Sequence, residues 1–217
     1  MRRWGKSVSG EILGSLLFFS LAGSAAFTLA RYTNQTAAEA LYKVHGDYLL
    51  MTVQCALAIA AMALPVLLEK RMQLQLPPYL YALYYAFLFC AVFLGEILAF
   101  YYLVPHWDTL LHFFSGLMLG LFGGVLARAM NRSAAVQPLL LAAFAFCFSL
   151  AAGAVWEIYE YVMDGLLHMN MQKFADSAMQ VYAGRAALFD TMKDILTDAA
   201  AALLAAAGCF AQAKRQG

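Results

Sequence analysis

The sequence predicts an all-α, polytopic membrane helix bundle of about six transmembrane helices, with both termini in the cytoplasm. Three observations carry that prediction. Of 217 residues, 64% are hydrophobic and only 12% charged, about half the roughly 25% charged content of a soluble domain, and the mean hydropathy is +0.69. Six apolar segments approach the roughly 20 residues that a helix needs to cross the hydrocarbon. Lys and Arg gather on alternate connections. The net charge of +1 offers no basic surplus that would suggest nucleic acid.

The first span, about 11–31, follows MRRWGK and resembles a signal peptide, but its apolar run Ile12 to Ala30 is too long for a typical signal core. It reads as a retained helix. The next spans fall at about 48–68, 78–104, 108–128 and 137–163. The sixth, about 191–212, is the least apolar, because Asp190, Lys193, Asp194 and Asp198 crowd its first turns. It crosses only if those groups meet an interface or a polar interior. Nine basic residues (Arg2, Arg3, Lys6, Lys70, Arg71, Arg128, Arg132, Lys214, Arg215) share one side, against five (Arg31, Lys43, Lys173, Arg185, Lys193) on the other. The sizeable connection is 164–190, in which MQKFADSAMQVY (171–182) is expected to form a short interfacial helix. The four cysteines, Cys55, Cys90, Cys147 and Cys209, lie inside apolar runs without a CxxC pair and read as small buried hydrophobes. No internal repeat is evident, so residues 1–217 are expected to form a single membrane domain.

The acidic residues are not scattered. Seven of thirteen fall at the non-cytoplasmic ends of the last three spans. WDTLLHFFSG opens the fourth span and stacks Asp108 over His112 at four-residue spacing. WEIYEYVMD closes the fifth with Glu157, Glu160 and Asp164 on one face, and DTMKDILTD opens the sixth with Asp190, Asp194 and Asp198. Glu96, about two turns before the expected end of the third span, lies at the same depth. For single residues a plain explanation competes: Asp108 and Asp190 suit N-caps, and Glu160 and Asp164 suit a wet interface beside Tyr159 and Tyr161. It accounts poorly for Glu157, Asp194 and Asp198, one to two turns deeper.

Carboxylates buried together need compensation. Shared protons, pairing with Arg185 or Lys193, or a divalent cation can supply it. Basic residues are too few for pairing alone, which favours a cation, shared protons, or both. Asp108, His112, Glu157 and Asp194 are the candidate metal ligands, with Asp190 as a further one, and the metal's identity is open. Past His112, Gly116, Gly120 and Gly124 form a stripe of small residues; Ala202 and Ala206 continue the spacing from Asp198. Close packing there would draw His112 and Asp198 together. His106, after Pro105, reads as an exposed loop residue, and Ser115 as packing.

WDTLLHFFSG, AVWEIYEYVMD and DTMKDILTDAAAALL together resemble the bacterial inner-membrane family typified by YjdF and, more distantly, the VanZ-like proteins. The likeness covers roughly residues 90 to 212. By position it implies a polar site of Asp108, His112, Glu157, Glu160, Asp190, Asp194 and Asp198, with the Gln and Arg of the VanZ pattern at Gln180 and Arg185. It also implies a multi-pass protein of the bacterial plasma membrane, and leaves the reaction open.

Three functions compete. The first is a metal-dependent enzyme acting on a membrane lipid or lipid-linked headgroup, the cation activating water or polarising a phosphoryl oxygen, with Glu160 or Asp198 as general base. The second is a non-catalytic binding or resistance protein. The third, a cation- or proton-coupled transporter, lacks a matching polar path in the cytoplasmic half and any inverted repeat. Oligomeric state is not legible.

Overall fold

The computed structural model describes residues 8–33, 45–131, 136–176 and 179–216. They are helical throughout their regular structure, without a strand among the described residues, and six helices are long and apolar enough to cross a membrane: Gly10–Thr33, Tyr48–Met72, Pro78–Ile97, Trp107–Met130, Pro138–Leu167 and Phe189–Arg215. All six expected spans are present. Two compact units divide between Trp107 and Asp108.

In the first unit, α1 (Val8–Thr33) packs against α2 (His45–Ala61) and α4 (Pro78–Leu88). The α1–α2 contact is polar at Thr28, whose hydroxyl lies 2.7 Å from that of Thr52. The second span breaks after Ala61 and resumes as α3 (Leu64–Met72). Pro65 is the cause: it has no N–H to offer the carbonyl of Ala61 four residues earlier. Tyr84 on α4 donates its hydroxyl to that carbonyl at 2.9 Å, so the break leaves it satisfied in a region where water cannot help.

The third span is shorter than expected. After α4 the chain widens into a π-helix, Phe89–Ile97, closed by the Leu98 N–H on the Phe93 carbonyl at 3.0 Å, and Ala99 turns left-handed with φ 60°. A one-turn helix, α5 (Phe100–Leu103), follows. Glu96 therefore sits in the last turn of its helix, not two turns before its end.

The second unit comprises α6 (Trp107–Met130, from Asp108 onward), α7 (Pro138–Leu167) and α8 (Phe189–Gln216). The buried face of α7 runs Leu141, Ala145, Ser149, Gly153, Glu157, Glu160, Asp164, the spacing of one helical stripe. It turns from small residues to acids along its length. The same change occurs on α8, from Cys209, Ala205 and Ala201 to Asp198, Asp194 and Asp190, all buried. On α6, Gly124, Gly120 and Gly116 lead to His112.

Close packing of the glycine stripe holds as expected, but its partners differ. Cβ atoms built on Gly116 and Gly120 would lie 2.9 and 2.5 Å from the Cβ atoms of Ala201 and Ala205, and one on Gly124 would lie 2.6 Å from Cys209 Sγ. The apposed stripe is Ala201–Ala205–Cys209 rather than Ala202–Ala206. Ser149 on α7 donates to the Gly116 carbonyl at 2.6 Å, which ties the third helix in.

The described residues of the connection between α7 and α8 do not form the interfacial helix expected over 171–182. They form a strap with an isolated antiparallel bridge between Ala175 and Val181 and a single 3₁₀ turn at Gly184–Ala186. Asp164 accepts the backbone N–H groups of Met171 and Gln172 at 2.7 and 3.0 Å, and Asn170 closes a turn on Ala175. These bonds give backbone groups the partners a helix would have supplied. The cysteines are free, but only Cys55 and Cys209 are buried; Cys90 is half-buried and Cys147 lies on an exposed helix face.

Candidate functional site

Where the three stripes turn acidic, they converge. His112 is 6% exposed and lies among carboxylates of all three helices. Its Nδ1 is 3.3 Å from Asp198 Oδ2, and its Nε2 is 3.7 Å from Glu157 Oε1 and 3.9 Å from Asp108 Oδ1. Asp108, His112 and Asp194 each offer one ligand atom, and those atoms lie within 4.8 Å of one another. Asp194 and Asp198 are each 1% exposed.

Part of this acid layer has partners. Asp164 is committed to the strap's backbone, and Trp156 donates its indole N–H to Glu160 at 2.9 Å. Asp190 binds Lys193 at 2.7 Å and Lys173 at 3.1 Å, and Lys173 also meets Asp108. Lys193 lies 3.5 Å from Asp194 Oδ1. Burial alone would lower the Lys173 pKa, but Asp108 and Asp190 outweigh it and push the ammonium above its usual range. The deeper groups are different. Glu157 is buried beside the side chains of Thr191 and Gln172 with Oε1 toward His112, Asp194 Oδ1 has Lys193 as its nearest cation, and Oδ1 of Asp198 is buried without a hydrogen-bond partner among the described residues. Buried carboxylate oxygens are expensive to leave so.

Every candidate of the sequence analysis on the last three spans falls in or beside this layer. Asp108 and Asp190 lie inside the first turns of α6 and α8; Asp190 meets Lys173 and Lys193, while Asp108 meets Lys173 through Oδ2 and turns Oδ1 toward His112. Glu160 and Asp164 are buried, 6% and 7% exposed, rather than wet. Glu96 belongs to the first unit. His106 and Arg185 are exposed, and Lys173 takes the pairing role that Arg185 was expected to share. Gln180 has its backbone N–H on Asp176 Oδ1 within the strap.

Lys173, Gln172 and Gly153 were missed. Gln172 reaches Thr191 at 2.8 Å and pins the strap to α8. Gly153 supplies space, since a Cβ there would run into the Asp198 carboxylate. Its signal was legible as the four-residue ladder Ala145, Ser149, Gly153, Glu157. Lys173 sits in an irregular segment where spacing carries no information.

Fold and site define a polytopic membrane helix bundle with a buried carboxylate–histidine cluster at one end of its last three helices. The chain belongs to the family described as predicted membrane protein (DUF2238), which matches residues 17–215. No curated protein and no solved structure matches it.

Proposed function

We propose that the cluster is a divalent-cation site of a membrane-embedded enzyme that acts on a lipid or lipid-linked headgroup at the non-cytoplasmic leaflet. The observation that carries the reading is the convergence of Asp108, His112 and Asp194, which each bring one ligand atom within 4.8 Å of the others, with buried Glu157 Oε1 3.7 Å from His112 Nε2. Two acidic groups facing one imidazole nitrogen call for positive charge there, which a proton on Nε2 or a bound cation supplies; the further ligand atom of Asp194 within 4.8 Å supports the cation. Asp108, His112, Asp194 and Glu157 are the proposed ligands, a mixed oxygen and imidazole set suited to a transition metal. Asp190, held by two lysines, is the weakest of the candidate ligands. A bound cation would supply Lewis acidity toward water or a phosphoryl oxygen. Glu160 is the proposed general base, oriented by the Trp156 indole.

Transport is less well supported. Below the cluster, glycines of α6 close directly on Ala201, Ala205 and Cys209, which leaves little room for a polar path. The likeness to YjdF and the VanZ-like proteins, and with it a bacterial inner-membrane location and cytoplasmic termini, forms part of the proposal. It rests on Asp108, His112, Glu157 and the fourfold acidic series of α8, together with the bias of basic residues.

The test is the metal content of purified, chelator-free protein by mass spectrometry, for wild type, His112→Ala and Asp194→Asn, with folding checked for each. A stoichiometric divalent metal lost in both variants is the expected result. Metal-free wild type that binds none on titration would overturn the proposal.

A further inference from the structure

We propose that Asp198 is a positioning residue rather than a metal ligand or a general base: seated in the gap left by Gly153, it accepts the Nδ1–H of His112 and thereby presents Nε2 to Asp108 and Glu157. As a statement about metal binding this rests on the cation-site reading; as a statement about the imidazole it stands without it.

The argument begins with donor and acceptor roles. An ionised carboxylate only accepts hydrogen bonds, and a neutral imidazole has one donor and one acceptor nitrogen. Asp198 Oδ2 is 3.3 Å from Nδ1 and buried, so a bond there requires the proton on Nδ1. The ring's other nitrogen then offers its lone pair toward Glu157 Oε1 and Asp108 Oδ1. Those oxygens are themselves acceptors and cannot bond to a lone pair; without a cation they require the imidazolium, whose Nε2–H they would accept, and with one the nitrogen is free to ligate. The arrangement suits an imidazole that ligates through Nε2 while a carboxylate behind it holds the ring, the usual outer-shell partnership of metal-bound histidine.

The backbone is built for it. Any side chain at 153 would collide with Oδ2 of Asp198 and reach 2.7 Å from its Cγ. Gly153 lies one helical turn from Glu157 on the same buried stripe. One helix therefore supplies both a proposed ligand and the socket for the residue that aims the histidine. Gly116 adds a second constraint, because its Cβ position lies 3.2 Å from the Asp198 backbone carbonyl. The α8 backbone is thus held close to α6 just beyond His112.

The experiment is ¹⁵N NMR of histidine-labelled protein in lipid nanodiscs, read with and without Zn²⁺, beside a Zn²⁺ titration. The variants are Asp198→Asn, Asp198→Ala and Gly153→Ala, with Gly165→Ala as control because nothing lies within 4 Å of its Cβ position. Wild type is expected to show a hydrogen-bonded proton on Nδ1 and zinc on Nε2. Asp198→Ala and Gly153→Ala are expected to lose that bond and about 10- to 100-fold in zinc affinity. Asp198→Asn, whose carbonyl still accepts, keeps the Nδ1 proton and loses less; the control changes neither. Zinc on Nδ1, an unprotonated Nδ1 in the metal-free wild type, or unaltered affinity in Asp198→Ala would each overturn the proposal. If neither the wild type nor any variant binds zinc but the Nδ1 bond is present in wild type and lost in Asp198→Ala, the cation reading falls and the positioning role stands.

Discussion

The packing of α6 on α8 yields a prediction whose size can be worked out. A methyl group added at Gly120 would lie 2.5 Å from the Ala205 Cβ, about 1 Å inside the optimal 3.5–4.0 Å carbon separation. The Ser149 Cβ, at 3.7 Å, is in ordinary contact. Gly120→Ala must therefore push the two helices apart, at about 1–3 kcal/mol for an overpacked interface. Alanine's better helix propensity offsets about 1 kcal/mol of that. Ala205→Gly makes room and costs about 1 kcal/mol in propensity. In the double variant the methyl has moved from one helix to the other, so the propensity terms cancel and the clash is gone. Stability is then expected within about 0.5 kcal/mol of wild type, the double-mutant cycle giving a favourable coupling of about 1–3 kcal/mol. Unfolding of the four proteins in detergent micelles measures it. His112 lies eight residues before Gly120, about 12 Å along the helix. Gly120→Ala alone should therefore also weaken the His112–Asp198 bond in the NMR experiment. Additive effects in the cycle would refute the close approach of these stripes and remove the reason given for the His112–Asp198 contact.

Other expectations are simpler. Lys173→Gln should release the strap, seen as faster amide hydrogen exchange over 168–176, while costing no more than about 1 kcal/mol globally because that side chain is 44% exposed. Since the folded-state pKa of Lys173 lies above its usual value, its tie is fully present below the ordinary lysine pKa and is lost only as pH rises through the higher folded value. Exchange in the strap should therefore not quicken, beyond its intrinsic pH dependence, between pH 7 and about pH 10; a selective loss of protection in that window would contradict the ion pairs. In the first unit, Tyr84→Phe should cost about 1–3 kcal/mol, the price of an unpaired Ala61 carbonyl. Adding Pro65→Ala, which restores the missing N–H, should recover much of that loss in the same unfolding assay.

Hydropathy and spacing sufficed for the six spans, because a helix crossing lipid must be long, apolar and internally hydrogen-bonded. They also sufficed for the acidic layer: successive spans alternate in direction, which brings Asp108, Glu157 and Asp194 to the same end, and three- or four-residue spacing puts each series on one face. Hydropathy did not mark the end of the third helix, since Leu98, Ala99 and Phe100 are as apolar as what precedes them. Nor did it distinguish Ala201 from Ala202 as the partner of Gly116, because neighbouring alanines differ only in rotation about the helix axis.

The membrane class, the number of spans and the end of each of the last three helices that carries the acids were thus properties of the sequence alone, because each depends on one helix at a time. Which carboxylate faces which nitrogen of His112, what a side chain at Gly153 would meet, and how Lys173 reaches Asp108 were decided only by the tertiary structure. Those relations depend on helix rotation and on the path of an irregular strap, set jointly by the glycine contacts and by hydrogen bonds between segments far apart in the chain.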